Sequence, residues 1–143
     1  MREIKFKIWA DDRFYDKCLV GNTTNVNDDK WTCPLVWLED RKEWVHCDNG
    51  IICEFTGLHD KNGKEIYEGD IVKINNDVAS MFNIKSTGKV EYNNGLFLVR
   101  NGDEIGILSS LFILADTKYC LRGEVIGNIY ENSDLLKGAD NVE

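Results

Sequence analysis

His46, Cys47, Cys53 and His59 are the only run of soft metal ligands in the chain. A structural zinc site needs four such ligands, paired closely enough for a turn to fold around the ion. Here the successive separations are one, six and six residues. Adjacent residues of a strand point to opposite faces, so His46 and Cys47 are badly placed to share an ion. Cys33 could come near Cys47 or Cys53 across a sheet, but none of the five cysteines belongs to a Cys-x-x-Cys pair. A nucleophilic thiol needs a base within hydrogen-bond reach and a lowered pKa. With two histidines in all, only Cys47 with His59 or Cys53 with His46 would qualify. The simpler reading makes the cysteines small buried hydrophobes and puts His59 near a hairpin tip. No catalytic residue, cofactor-binding residue, metal ligand or cofactor is therefore assigned.

Glu65, Glu68 and Asp70 are three carboxylates beside two turns. Paired carboxylates do acid–base work when burial drives their pKa values apart. A turn aspartate also has a plainer task, accepting backbone N–H bonds, and that explains Asp70; Glu65 and Glu68 read as solvated. Trp9, Trp31, Trp37, Trp44, Tyr67, Tyr92, Phe97 and Tyr130 could form a stacking platform for single-stranded nucleic acid. Such platforms interleave aromatics with basic side chains, and the nearest candidates are Lys89 beside Tyr92 and Arg100 beside Phe97. A core role is favoured, with the four tryptophans as large contributors. No Gly-x-Gly-x-x-Gly or Walker-type run follows a strand and opens a helix, which disfavours a nucleotide-binding α/β enzyme.

The elements that must carry these residues are short strands. Ile4, Phe6 and Ile8 alternate with Glu3, Lys5 and Lys7, the pattern of a half-buried strand. Asp11-Asp12-Arg13 turns the chain, and 14–20 reads as a return strand. Residues 21–30 are polar and loop-like. Residues 31–38 (WTCPLVWL) are apolar, but Pro34 cannot donate to a ladder, which predicts an edge strand or a break. Four Asn-Gly pairs occur, at 49–50, 62–63, 94–95 and 101–102, and three of them join apolar runs of strand length. Such a pair is a hairpin signal, because tight hairpin turns need positive φ. The first predicts a hairpin between 44–47 and 51–55. Glu68-Gly69-Asp70 forms another turn before a β-rich start at Ile71. Residues 77–87 fit a short helix or a loop, 105–114 a strand or a helix, and 124–130 a last strand. Ser133 or Asn132 caps one helical turn at 133–136. Short strands with frequent turns predict an all-β, mainly antiparallel fold with minor helix.

Composition narrows the partners. The 143 residues carry 25 acidic and 17 basic side chains, a formal net charge of −8, with no run of Lys or Arg. Phosphate contacts by Lys and Arg supply most non-specific nucleic-acid affinity, so nucleic acid is not the expected partner. An odd number of unpaired cysteines, no leader-like N-terminus and no long apolar run predict a reduced cytoplasm and no membrane.

Three blocks resemble the YopX family of phage and prophage proteins: MREIKFKIW (1–9), EFTGLHDKNGKEIYEGDIVK (54–73), and GKVEYNNGLF (88–97) continuing to EVIGNIYENSDLL (124–136). The family pattern has proline where this chain has Ser133. Residues 21–47 fall outside the blocks and read as an insertion. The resemblance implies a small β-barrel, its C-terminal part SH3-like, with a β-rich region at 1–55, a core at 56–136 and a tail at 137–143. It also implies a phage or prophage accessory protein of the bacterial cytoplasm, and it brings no catalytic residue. The expected activity is binding to protein or to a second copy, with no enzymatic function. The alternatives are a nucleic-acid-binding module, which a basic strip of Lys73, Lys85, Lys89 and Arg100 would favour, and a small metal- or thiol-dependent enzyme.

Overall fold

Strand β1, Phe6–Ala10, realises the N-terminal alternation: Ile8 and Ala10 are buried while Lys7 and Trp9 are half-buried on the other face. Ile4 precedes the strand and is exposed. Asp11 and Asp12 take φ of 52° and 58° and join β1 to β2, Arg13–Tyr15, with Ala10 opposite Arg13. Two consecutive positive φ values make the turn whose twist suits a hairpin. The computed structural model describes residues 3–24, 30–81, 83, 85–102, 104–107 and 123–139, which fall into two units, Met1–Phe55 and Thr56–Glu143.

In the first unit the return strand expected over 14–20 is split. β2 ends at Tyr15, and β3, Cys18–Thr24, joins a different sheet with β4, Lys30–Leu38, and β5, Glu43–His46. β3 and β4 pair out to Thr24 opposite Lys30, so the polar stretch expected as loop is strand up to Thr24; residues 25–29 lie outside the described ones. The apolar run 31–38 is internal only in its second half, where β4 lies between β3 and β5 and Leu35 and Val36 pair on both sides. Residues 31–34 pair with β3 but lie beyond the end of β5, so Pro34 stands where the two-sided pairing stops. Pro34 is tolerated there because its missing N–H falls just past the end of β5. Its carbonyl accepts the Cys47 N–H (3.0 Å), and the Cys47 carbonyl takes the Gly50 N–H (2.9 Å).

The expected hairpin around Asn49-Gly50 does not form. β5 pairs with β4, whereas β6, Ile51–His59, pairs antiparallel with β1. Gly50 is needed for closeness, since a Cβ there would lie 2.7 Å from an Ile8 methyl and 2.9 Å from Cys47 Sγ. The unit's core is Ile8, Ala10, Tyr15 and Val36, flanked by Val20, Leu38, Val45 and Ile52. Phe55 and Cys53 are also buried. The tryptophans are not the core: Trp9 and Trp37 are half-buried, Trp44 is 40% exposed, and the Trp31 side chain lies outside the described ones. An indole is too large to be covered completely in so small a unit.

The second unit pairs the later part of β6 with β7, Glu65–Tyr67. Its five-stranded antiparallel sheet runs β11-β10-β9-β8-β12, from β8 (Asp70–Lys73), β9 (Thr87–Asn93), β10 (Leu96–Asn101), β11 (Glu104–Ile107) and β12 (Glu124–Asn128). Of the ambiguous run 105–114, residues 105–107 are strand and the rest lie outside the described residues. Ile66, Val72 and Val90 form the core with Leu58, Phe97, Val99 and Val125. Helix α1, Asn76–Met81, settles the choice at 77–87, with Asn75 Oδ1 accepting the Asp77 N–H at 2.8 Å as its cap. Helix α2, Asp134–Ala139, is longer than the one turn expected and takes in the first residues assigned to the tail. The fold is thus all-β and mainly antiparallel, with two short helices among the described residues.

Two Asn-Gly turns differ instructively. Asn94 and Gly95 both have positive φ (52° and 83°), with Asn93 opposite Leu96. At 62–63 only Gly63 does, at 81°. The Gly63 N–H bonds to Asp60 O (3.0 Å) and the Asp60 N–H to Lys64 O (2.8 Å), a longer loop in which glycine alone takes the left-handed position. A Cβ on Gly63 would meet nothing within 4 Å. Gly63→Val is therefore expected to destabilise through backbone strain only, by about 1–2 kcal/mol. Urea denaturation measures it; an unchanged midpoint would remove the turn's role.

Candidate functional site

The soft ligands are dispersed rather than gathered. His46 is exposed at the end of β5, opposite Leu35, while Cys47 packs on the core side. Cys53 is 1% exposed on β6. Among the described residues no three of His, Cys, Asp and Glu come close enough to hold a metal ion. Burial pushes the Cys47 thiol up, and Asp11 and Asp48 push it further. Burial and then Asp16 raise Cys18, whose Sγ lies 3.3 Å from Phe6 O. Thiols raised in this way stay protonated and are weak nucleophiles. The Cys33 side chain lies outside the described ones.

Of the turn carboxylates, Asp70 is 4% exposed and its Oδ2 accepts the Tyr67 N–H at 2.8 Å. Glu65 and Glu68 are half-buried, not fully solvated as expected. Asp60, a carboxylate the sequence reading passed over, also has a structural task. Its Oδ1 accepts the N–H groups of Asn62 and Lys64, both at 2.8 Å, and Oδ2 accepts Val125 N–H at 3.0 Å. Burial alone would raise its pKa, but these three donors outweigh it and hold the carboxyl below its ordinary range. Aspartate at the first position of a turn is a recognisable signal for the two local bonds. Nothing local signals the third, which spans 65 residues.

The aromatic side chains fall into cross-strand pairs, Trp9 with Phe14, Trp37 with Trp44 and Tyr92 with Phe97, at centroid distances of 4.8, 5.4 and 5.2 Å. Cations absent from the sequence reading sit on several rings: Lys7 Nζ 4.1 Å from the Phe14 centroid, Lys17 Nζ 3.9 Å from Trp37, and the Arg13 guanidinium 4.1 Å from Tyr15. Each occupies a ring face that a stacked base would need. In the three-stranded sheet Leu19, Leu35 and His46 are in register, and Trp37 lies opposite Trp44. The alternate residues, Cys18, Val36 and Val45, pack inward. Leu19, Leu35, Trp37 and Trp44 therefore share the outer face, with Leu19 52% and Trp44 40% exposed. The nearby β4–β5 turn carries Glu39 with Lys42 (2.7 Å) and Arg41 with Glu43 (3.7 Å).

The anticipated basic strip is partly present. Register puts Lys73, Lys89 and Arg100 on one face of the larger sheet, with Lys85 just before β9. Glu91 shares that face, pairing with Arg100 Nε and lying 3.6 Å from Lys89 Nζ. Glu124 stands opposite Lys73. Carboxylates interleaved with the cations break up a track for a phosphate backbone. With the net charge of −8, this leads us to expect no tight duplex DNA binding at physiological salt. Fluorescence anisotropy would decide, and a sub-micromolar, salt-sensitive Kd would contradict it.

A family model described as YopX protein matches residues 5–137. The chain belongs to the YopX family. Its fold resembles the crystal structure of protein EF1440 from Enterococcus faecalis, with a TM-score of 0.57 and 22% identity over 95% of this chain and 99% of that one. It also resembles protein yopX from Bacillus subtilis, with a TM-score of 0.53 and 20% identity over 94% and 98% of the two chains. No curated protein sequence matches it. Among the described residues no helix is long and apolar enough to cross a membrane.

In this YopX chain the blocks that carried the resemblance meet in space. Ile71 pairs with Gly127. Ile129 N–H bonds to Gly69 O at 2.8 Å, and Lys61 N–H to Gly123 O at 3.1 Å. A Cβ on Gly69 would lie 2.8 Å from the Tyr130 ring. The YopX signature therefore encodes the joint between the 60–70 turns and β12. The outer face of β3-β4-β5 comes mostly from residues outside those blocks.

Proposed function

We propose that this YopX-family protein acts by binding, without catalysis, and that it binds a second copy of itself through the outer face of β3-β4-β5. One observation carries the reading: Leu19, Leu35, Trp37 and Trp44 lie together on a sheet face where Leu19 and Trp44 remain 52% and 40% exposed. Paired tryptophans are typical interface anchors. The contact is placed on a face because the four side chains project from it, and at Leu35 and Val36 β4 is flanked by strands on both sides. The surroundings carry both signs, with Lys17, Arg41 and Lys42 beside Glu39 and Glu43. A surface of one sign would call for a partner of the other; a mixed one can meet itself about a two-fold axis. The family supports a phage or prophage accessory role in a bacterial cytoplasm.

Sedimentation velocity across the micromolar range tests the reading. The wild type is expected to sediment as a dimer. Trp44→Glu, at a 40% exposed position, is expected to sediment as a monomer that keeps the wild-type circular dichroism spectrum, with a Tm lowered by loss of the dimer. A wild type that stays monomeric throughout would end the self-association reading.

A further inference from the structure

The C-terminal unit contains a cavity of about 320 Å³ lined by Lys89, Arg100, Asn101, Gly102, Leu136 and Lys137. Three cations converge there in a chain whose net charge is −8. They come from three elements: Lys89 from β9, Arg100 from β10 and Lys137 from α2, which packs against β9. We propose that this cavity binds a small phosphate monoester.

The charges favour a dianion. Lys89, Arg100 and Lys137 bring three positive charges and Glu91 one negative, leaving +2 from these four groups. Glu91 also positions its neighbours. It takes Nε of Arg100, so the two terminal NH₂ groups of the guanidinium, with four N–H donors, remain without a partner among the described residues. Such a planar fork matches the oxygens of a phosphate. Lys89 Nζ is only loosely held, 3.6 Å from the other Glu91 oxygen, and Lys137 has no carboxylate partner among the described residues. Asn101 is fixed by its own bond, Nδ2 to Thr87 O at 2.6 Å, which anchors the wall between β9 and β10. The volume sits at the small end of ligand pockets, where roughly 300–1,000 Å³ is usual, so it fits a phosphate with a small substituent. Leu136 gives that substituent an apolar contact. A polymer backbone fits less well, because Glu91 stands beside Lys89 and Arg100 on the same sheet face. The site is in the other unit from the proposed self-association face, so either can fail alone.

The test is an NMR titration of the ¹⁵N-labelled full chain with inorganic phosphate and with methyl phosphate, using acetate and a single-stranded DNA oligonucleotide as comparisons. Saturable shifts are expected at the Lys89, Gly102 and Lys137 amides and at Arg100 Nε with both phosphates and not with acetate. Arg100→Gln and Lys137→Gln are each expected to weaken binding about tenfold, as for loss of one charge-assisted hydrogen bond. Lys137 is exposed, so its variant leaves the fold intact. An absence of saturable shifts, an equal response to acetate, an unchanged affinity in the Lys137→Gln protein, or tighter binding of the oligonucleotide than of methyl phosphate would each overturn the proposal.

Discussion

Asp60→Ala is expected to lower the unfolding free energy by about 3 kcal/mol, summed from N–H groups left unsatisfied at about 1–3 kcal/mol when buried and less where water reaches them. The wild-type carboxylate satisfies three backbone donors, at Asn62, Lys64 and Val125. Asp60→Asn separates charge from shape. Its amide keeps one acceptor oxygen but turns an NH₂ group toward a backbone donor, so it too should destabilise. The pH dependence has a definite sign. The folded pKa lies below the unfolded one, so the stabilisation is fully present above the unfolded pKa. It is lost as pH falls through the folded pKa, and the gap between wild type and Asp60→Ala should narrow in acid. Urea denaturation at neutral pH and at successively lower pH measures both effects. A gap that is small at neutral pH, or that widens in acid, would contradict the role given to Asp60.

Gly69→Val should destabilise by a similar amount, about 3 kcal/mol, from left-handed backbone strain together with overpacking. Gly69 has φ of 84°, and its Cβ would lie 2.8 Å from Tyr130 Cε2 and 3.2 Å from the hydroxyl. The backbone cannot turn away, because the Gly69 N–H is bonded to Val90 O and its carbonyl to the Ile129 N–H, both at 2.8 Å. Repeating the substitution in a Tyr130→Ala background removes the clash and keeps the strain. The increment should then fall toward that of Gly63→Val, which has strain and no neighbour. If it stays the same in both backgrounds, Tyr130 does not restrict this turn.

These residues also show which signals were legible from sequence. Alternation over Phe6–Ala10 and the paired positive φ at Asn94-Gly95 follow from local chemistry, and both are present. Asn49-Gly50 looks the same on paper but makes no hairpin, since β5 and β6 each find a partner elsewhere. Its glycine is explained by the approach of Ile8, a contact 42 residues away in sequence. Pro34 was half legible. Its missing donor marks the point where β5 stops covering β4, but the strand continues through it on the β3 side, and Gly50 N–H serves the Cys47 carbonyl left open. The tryptophans were taken for core by size, yet Ile8, Ile66, Ile71, Val72, Val90 and Phe55 fill the buried positions. Residue identity could not reveal the cations over Phe14 and Trp37, because strand pairing decides which side chains face one another. Arg13 over Tyr15, by contrast, is an i, i+2 pair on β2 that alternation alone places on one face.

The central claim is that two copies meet on the outer face of β3-β4-β5, and isotope-filtered NOE measurements on a mixture of labelled and unlabelled chains test it most directly. Intermolecular NOEs are expected from the Trp44 ring to the methyl groups of Leu19 and Leu35 in the second copy. A dimeric sample whose intermolecular NOEs arise only from other residues, or a sample that gives none and is monomeric, would contradict the claim.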